Sequence, residues 1–176
     1  MVYVEDPTAW PNMVKLAGCL CTTVAQRGLP ELCVCSPIPG PMAIMEMCGA
    51  CSDTGKDKCG GQGWVRLVNE FPSRQFPAPD TQENTCNSPM AYVLEVGIAR
   101  CVPTGKANSI SGYVAPALEE LVEATRLQLA DKAAMLAALR CCLDDGDLTY
   151  SVGPYTPMNV SGDCGGGFWT VTIWSV

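Results

Sequence analysis

The residues best suited to chemistry in this chain are three cysteines in one turn-rich stretch. Cys48 and Cys51 are separated by two residues, and Cys59 follows after seven more. Zinc takes four ligands in a structural site, and such sites often use two CxxC motifs that supply two cysteines each. The sequence has no second CxxC motif to pair with Cys48 and Cys51. A fourth ligand would have to be Cys33, Cys35 or Cys86. The set is therefore an incomplete metal candidate, and we expect the chain to hold no metal and no other cofactor.

The chain has 12 cysteines in 176 residues, so their state matters for its function. A thioredoxin-like pair needs a strand before its CxxC and a helix after it, and the sequence predicts neither. Disulfides and packed free thiols both remain open, and Cys19 and Cys21 are interpreted as small packed hydrophobes of a helix. The segment 1–10 lacks the basic and apolar regions of a signal peptide. We therefore expect synthesis in the cytosol, where thiols stay reduced, with any oxidation following release from the cell.

The remaining residue types argue against an enzyme. Histidine is absent from the sequence, which excludes Ser-His-Asp and Cys-His hydrolases. The Gly105-Lys106 and Gly55-Lys56 pairs lack the serine or threonine and the upstream glycine of a phosphate-binding loop, so both predict turns. The acidic run 144–147 has no EF-hand spacing and indicates a solvated loop. Glu95 is expected to be an ordinary exposed strand residue, and the chain is not expected to be an enzyme.

Composition points to a protein whose surface is covered by a partner. Hydrophobic residues make up 48% of the chain and charged residues 16%, against about 25% charged in ordinary domains. The net charge is −7, and the bases are scattered, which argues against a surface that binds nucleic acid. DNA could still slide through a channel lined by such an acidic protein.

Apolar spacing predicts one α+β domain over 1–176. We expect one mainly antiparallel sheet packed against an N-terminal helix and a long helical segment. The predicted helices are 10–27 and 116–143, the second broken near Ala130–Asp131, and the predicted strands are 32–36, a piece around 42–47, 64–70, 90–102, 150–160 and 168–175. A Cys-, Gly- and Pro-rich loop insertion occupies 31–63, and 71–80 is predicted to be a Pro-rich extended arm. Glycines 165–167 are interpreted as turn or hinge residues.

Large aromatic side chains lie in this arm and in strands whose two faces are both apolar. Exposed apolar surface of this kind usually marks protein–protein contacts. The residues that we expect to contact another subunit are Trp64, Phe71, Arg74, Phe76 and Trp174.

Four runs of the sequence resemble a known family. The runs WVRLVNEFPSRQFPAPD (64–80), AYVLEVGIARCVP (91–103), QLADKAAMLAALRCC (128–142) and FWTVTIWSV (168–176) are similar to neck proteins of long-tailed, siphovirus-type phages of actinobacteria. In element order the chain looks most like their tail terminator: an N-terminal helix, two central strands, a helical segment and a C-terminal strand. The resemblance covers about 10–30 and 64–176, and the insertion 31–63 departs from it.

The resemblance implies a structural virion protein without catalytic residues. Such proteins form a homo-oligomeric ring, usually of six subunits, that caps the tail tube and docks the tail to the head connector or stopper. It further implies assembly in the host cytoplasm, contact with the tail tube protein, DNA passing through the lumen without specific binding, and no membrane partner. The alternatives are another neck component such as the head–tail stopper, a tail-tube subunit, or a zinc-binding or redox cysteine module.

Overall fold

Two helices cover one face of a five-stranded sheet in the computed structural model of the chain, which describes residues 6–40, 60–81, 88–108, 112–144, 148–161 and 163–175. The predicted α+β class with one mainly antiparallel sheet is confirmed. The elements are α1 (Ala9–Gln26), β1 (Val34–Pro37), β2 (Gln62–Pro72), β3 (Met90–Cys101), β4 (Lys106–Asn108), β5 (Gly112–Val114), α2 (Leu118–Leu143), β6 (Tyr150–Ser161) and β7 (Cys164–Ser175).

The sheet has the strand order β1-β2-β3-β7-β6. Strand β1 runs parallel to β2, and each of the other neighbouring pairs is antiparallel. The closing hairpin β6–β7 is confirmed, and β4 and β5 form a separate two-stranded ribbon. The predicted piece around 42–47 lies outside the described residues, as does the rest of 41–59.

The core lies between the helices and the sheet, because each element carries its apolar residues on one face. Helix α1 buries the stripe predicted from its three- and four-residue spacing: Met13, Leu16, Ala17, Leu20 and Val24. Strand β3 alternates, and its helix-facing side chains are Tyr92, Leu94, Val96 and Ile98. The C-terminal half of α2 completes the core with Ala134, Met135, Ala138, Leu139 and Leu143.

Helix α2 is unbroken over 26 residues, so the break expected near Ala130–Asp131 is absent. The span 118–143 contains no glycine or proline to interrupt the backbone hydrogen bonds. Asp131 does not cap a second segment. It is buried in the middle of the helix, where Arg100 binds it.

The glycines 165–167 are strand residues, and the interpretation as a turn or hinge was wrong. They lie in β7 with little exposed surface, and Gly166 pairs with Ala99 of β3. A Cβ atom on Gly166 would overlap the carbonyl oxygen of Ile98, and one on Gly167 would overlap the hydroxyl of Tyr155. The glycines therefore allow close approach of the neighbouring strands, a requirement that only the assembled sheet reveals.

The stretch 71–80 folds back on itself and is not an extended arm. Strand β2 continues to Pro72, and the backbone N–H of Asp80 returns to donate to the Pro72 carbonyl (2.8 Å). The Ser73 hydroxyl donates to the Ala78 carbonyl at 2.8 Å. The prolines remove donors from a sheet ladder, but these two bonds close the loop without them.

Candidate subunit-contact surfaces

Three of the predicted contact residues lie in one region and are called the aromatic cluster: Phe76 contacts Trp174, and Phe71 lies two strands away from Trp174. Phe71 lies opposite Ala91 in the β2–β3 pair, and Ala91 lies opposite Trp174 in the β3–β7 pair. Directly opposed residues share a sheet face, so Phe71 and Trp174 flank Ala91 on the face away from the helices. The Phe76 and Trp174 ring centroids are 6.2 Å apart. All three aromatic residues are half-buried, so the cluster keeps apolar surface for a partner.

The loop 73–80 holds this cluster in place. The indole N–H of Trp174 donates to the Ser73 carbonyl at 2.8 Å. Arg74 donates its backbone N–H to Asp80 Oδ1 (2.9 Å) and its Nε to Oδ2 (2.7 Å). The bond from the backbone N–H of Arg74 lowers the pKa of the Asp80 carboxyl group most, and the bond from the Arg74 guanidinium lowers it further. Arg74 keeps 44% of its side chain exposed and lies at the rim of the cluster.

Trp64, the remaining predicted contact residue, is an interior residue. It has no exposed surface, and its indole N–H donates to Glu95 Oε1 at 3.0 Å. Arg66 donates to both carboxylate oxygens of Glu95, at 2.9 and 2.6 Å. Glu95 is only 3% exposed, so the expectation of an exposed strand residue was wrong. It does face away from the helices, but Trp64 and Arg66 cover it and satisfy its charge.

The cysteine candidates do not form a described site. Cys48, Cys51 and Cys59 lie outside the described residues, as does Cys86. Cys33 and Cys35, two of the possible fourth ligands, are disulfide-bonded and have no thiolate to offer. Among the residues that the structure describes, no group of three or more His, Cys, Asp or Glu side chains could hold a metal ion.

The disulfides join α1 to the elements on both of its sides. Cys19 bonds Cys142 of α2, and Cys21 bonds Cys35 of β1, so the interpretation of Cys19 and Cys21 as packed thiols was wrong. Residues two apart on a helix point about 200° apart, which is why the two sulfurs reach different neighbours. Cys101 and Cys164 are also disulfide-bonded, whereas Cys141 is free and exposed.

Sequence reasoning missed an apolar pocket at the start of α1. This pocket, of about 350 Å³, is lined by Asp6, Ala9, Trp10, Met13 and Leu67. Trp10 is 41% exposed. The carboxylate of Asp6 caps α1 by accepting from the backbone N–H groups of Thr8 (2.8 Å) and Ala9 (2.6 Å), which lowers its pKa. The available signal was the apolar pair Leu67–Val68, which interrupts the alternation of β2 where the strand has a bulge.

A second missed surface is the N-terminal half of α2. The first turns of the helix carry four exposed aliphatic side chains, of which Leu118 (71%) and Leu129 (59%) are the most open; the others are Leu121 and Val122. Their spacing is helical, and from sequence alone it indicates a core stripe. Only the tertiary structure shows that the stripe continues past the sheet, where nothing in the described chain covers it.

The titratable groups of the described residues do not form an acid–base site. The carboxyl groups with shifted pKa values, Asp6 and Asp80, are both lowered by backbone hydrogen bonds. The pKa of Tyr155 is raised by burial, and that of Tyr150 by its hydrogen bond to Asp144. A carboxyl group with a lowered pKa stays ionised at neutral pH, and a phenol with a raised pKa stays protonated.

Comparison with known proteins leaves the family open. No protein-family model matches the chain, and no curated protein matches it. None of the helices in the described ranges is long and apolar enough to cross a membrane.

Proposed function

We propose that the chain is a structural virion protein, the subunit of a tail terminator ring at the head–tail junction of a long-tailed phage. The ring caps the tail tube, docks the tail to the head connector and leaves a channel for DNA. The single observation that carries the proposal is the apolar surface that the described residues leave exposed, above all the leucines of α2. Apolar surface of this kind marks sites of protein association.

The order of the elements supports this assignment. An N-terminal helix, the central strands β2 and β3, a helical segment and a closing strand follow one another as in the family that the sequence resembles. A stopper, the nearest rival in the neck, is expected to be mainly a small barrel. The 26-residue helix α2 and the open five-stranded sheet favour the terminator over that rival.

The charge of the chain suits a channel through which DNA slides. A net charge of −7 per subunit repels the phosphate backbone, so DNA would not adhere to the lumen. The Arg66–Glu95 and Arg100–Asp131 pairs lie inside the protein, and each removes one base and one acid from the surface, so they leave its net negative charge unchanged.

The disulfides are compatible with assembly in a reducing cytoplasm. Cys19–Cys142 and Cys21–Cys35 both lie within one chain, and neither belongs to the aromatic cluster nor to the exposed half of α2. We therefore expect the ring to form before they are oxidised, and their oxidation after release from the cell would stabilise the subunits of a particle already assembled.

The test is to add the purified protein to tail tubes assembled from the tube protein alone and to image them by electron microscopy. The proposal predicts a ring bound to one end of each tube. A tail-tube subunit would instead lengthen or copolymerise with the tubes. Protein that ignores the tubes, and that contains bound zinc when purified under reducing conditions, would support the cysteine module in place of the terminator.

A further inference from the structure

The edge strand β1 and the residues on either side of it run along the first residues of β2. Backbone hydrogen bonds fix both ends of this segment. The N–H of Cys33 donates to the Gly61 carbonyl at 2.8 Å, and the N–H of Ile38 donates to the Val65 carbonyl at 2.9 Å. Between them, β1 pairs parallel with β2 over four residues. We call 33–38 the strap.

The strap covers β2 on both faces of the sheet. On the helix side, the Cys35 sulfur packs against the backbone of Gly63, where an added Cβ atom would lie 2.9 Å from it. On the other side, Ile38 packs against the small cluster that contains the fully buried Trp64. All four β2 residues that pair with β1 are buried. Opening the strap would therefore give water access to the edge of β2 at 62–65.

The noncovalent contacts of β1 are few. Each of its four residues is half-buried, so none of their side chains is fully withdrawn from water. The strand ends in Pro37, which has no N–H to donate, and it pairs with β2 alone. Short segments with few buried contacts open locally at a small cost in free energy, while the rest of a protein stays folded.

A disulfide holds the strap more firmly than these contacts do. Cys35 bonds Cys21 of α1, 14 residues earlier in the chain. Helix α1 is itself anchored by its buried stripe and by the bond from Cys19 to α2. While the Cys21–Cys35 bond is closed, an opened strap stays tethered to α1 and gains little conformational freedom. The bond therefore stabilises the closed strap by restricting the open one.

We propose that the Cys21–Cys35 disulfide is a redox lock on the strap, and that its reduction releases 35–38 from the edge of β2 while the rest of the sheet stays folded. Cys33 is also disulfide-bonded, which tethers the beginning of the strap separately. Reducing surroundings open the strap and oxidising surroundings close it. The inference goes beyond the proposed ring and does not depend on it.

The chemistry of the lock is thiol–disulfide exchange with a dithiol. The dithiol gives up two electrons and two protons and becomes a cyclic disulfide. The bond between the Cys21 and Cys35 sulfurs breaks, and each sulfur takes up one hydrogen. Exchange of the two cysteine thiols with a small-molecule disulfide reverses the step, since that disulfide takes up the two hydrogens as two thiols.

Hydrogen–deuterium exchange read by mass spectrometry tests the lock, on the oxidised protein and after treatment with dithiothreitol. A strap variant carries Cys21→Ala with Cys35→Ala. The matched control carries Cys19→Ala with Cys142→Ala, which removes the other disulfide of α1 whose partner is known. Peptides that cover 35–38 report on the strap, and peptides that cover β3 report on the rest of the sheet. Circular dichroism verifies that each variant is folded.

Dithiothreitol should speed exchange in 35–38 of the native protein by at least about tenfold and leave β3 protected, because only the strap opens. The strap variant should show the faster exchange without any reductant. The control variant should exchange in 35–38 like the oxidised native protein until dithiothreitol is added, since its strap keeps the lock.

Three outcomes overturn the inference. If 35–38 of the native protein stayed protected in dithiothreitol, noncovalent contacts would be what holds the strap. If β3 lost its protection together with 35–38, the reduced protein would open as a whole. If the strap variant stayed protected until dithiothreitol was added, another disulfide, such as that of Cys33, would be the lock.

Discussion

Arg100 and Asp131 form a buried, bidentate ion pair that fastens the end of β3 to the middle of α2. Nε donates to Oδ2 at 2.6 Å and Nη2 donates to Oδ1 at 2.8 Å, and each side chain is 6% exposed. The third nitrogen of Arg100 donates to the carbonyls of Pro30 (2.9 Å) and Gly60. One guanidinium therefore joins a strand, a helix and two loop segments at one end of the sheet.

Asp131→Ala should lower the free energy of unfolding by about 3–5 kcal/mol, because it leaves the Arg100 charge buried without its counter-ion. Urea denaturation measures the change. The control is Glu123→Ala on the same helix, which removes a 3.8 Å pair with Arg126 whose partners are 76% and 77% exposed. That change should cost less than about 1 kcal/mol. Equal losses in the two variants would contradict the anchoring role of Asp131.

The repeating apolar pattern carried most of the information that the sequence held about the fold. The three- and four-residue spacing of α1 and the alternation of β3 depend on local geometry, and both elements were predicted within about two residues of their ends. The roles of Asp131, Glu95 and Gly166 were missed because each depends on a residue distant in sequence. A charged residue that its partner neutralises inside the protein is indistinguishable, in sequence, from one on the surface.

The candidate contact surfaces were only partly predictable for the same reason. The sequence indicated Phe71, Phe76 and Trp174 as subunit contacts, which stays a prediction. That Phe76 contacts Trp174 was not predicted, because the two residues are distant in the sequence. Trp64 is a tryptophan like Trp174 and was predicted to contact another subunit. Its large ring instead packs inside the protein, against the backbone of Gly97. The exposed leucines of α2 follow a core-like spacing, and only the length of the helix relative to the sheet places them outside.

Gly97→Ala should destabilise the protein, because a Cβ atom at this position would overlap the indole ring of Trp64, which is fully buried. We expect a loss of about 1–3 kcal/mol, as for other overpacked cores. The matched control is Gly18→Ala in α1, where a Cβ meets nothing within 4 Å and where alanine favours the helix. Gly18→Ala should stabilise the protein by about 0.5–1 kcal/mol. Thermal melting of both variants measures these changes. A Gly97→Ala variant that melts at the native temperature would contradict the packing of Trp64 against Gly97.

Replacement of Cys19 and Cys142 by alanine should lower the free energy of unfolding by about 2–5 kcal/mol, because the disulfide links residues 123 positions apart and restricts the unfolded chain. Reducing agent should destabilise the native protein in the same direction and have a smaller effect on the variant. Denaturation with and without reductant measures this. If reductant left the native protein unchanged, the oxidised state would contribute nothing to its stability.

Asp6→Ala should cost about 1 kcal/mol at neutral pH, since it removes the carboxylate that caps α1. The pKa of Asp6 is lower in the folded chain than in the unfolded one, so its stabilisation is complete above pH about 5 and is lost as the pH falls through the folded value. The difference in stability between native and variant proteins should therefore shrink between pH 5 and about pH 3. If the difference in stability between the two proteins stayed constant over this range, the ionised carboxylate of Asp6 would not be what stabilises the start of α1.

Phe71→Ala combined with Phe76→Ala should weaken association between subunits while leaving the chain folded, because the aromatic cluster is half-buried and lies outside the main core. Size-exclusion chromatography measures the association, and near-ultraviolet circular dichroism reports whether Trp174 keeps its environment. Phe71 alone, Phe76 alone and the pair should show increasing loss. An unaffected ring in the double variant would remove the aromatic cluster from the contact surface.

The most direct test of the account is the native mass of the purified protein, measured under reducing conditions and again after oxidation. The account predicts a ring near six times 18.7 kDa in both states, with a higher melting temperature after oxidation. A strict monomer in both states, which carries about one zinc ion per chain and never joins tail tubes, would contradict the ring and transfer the function to the cysteine-rich segment.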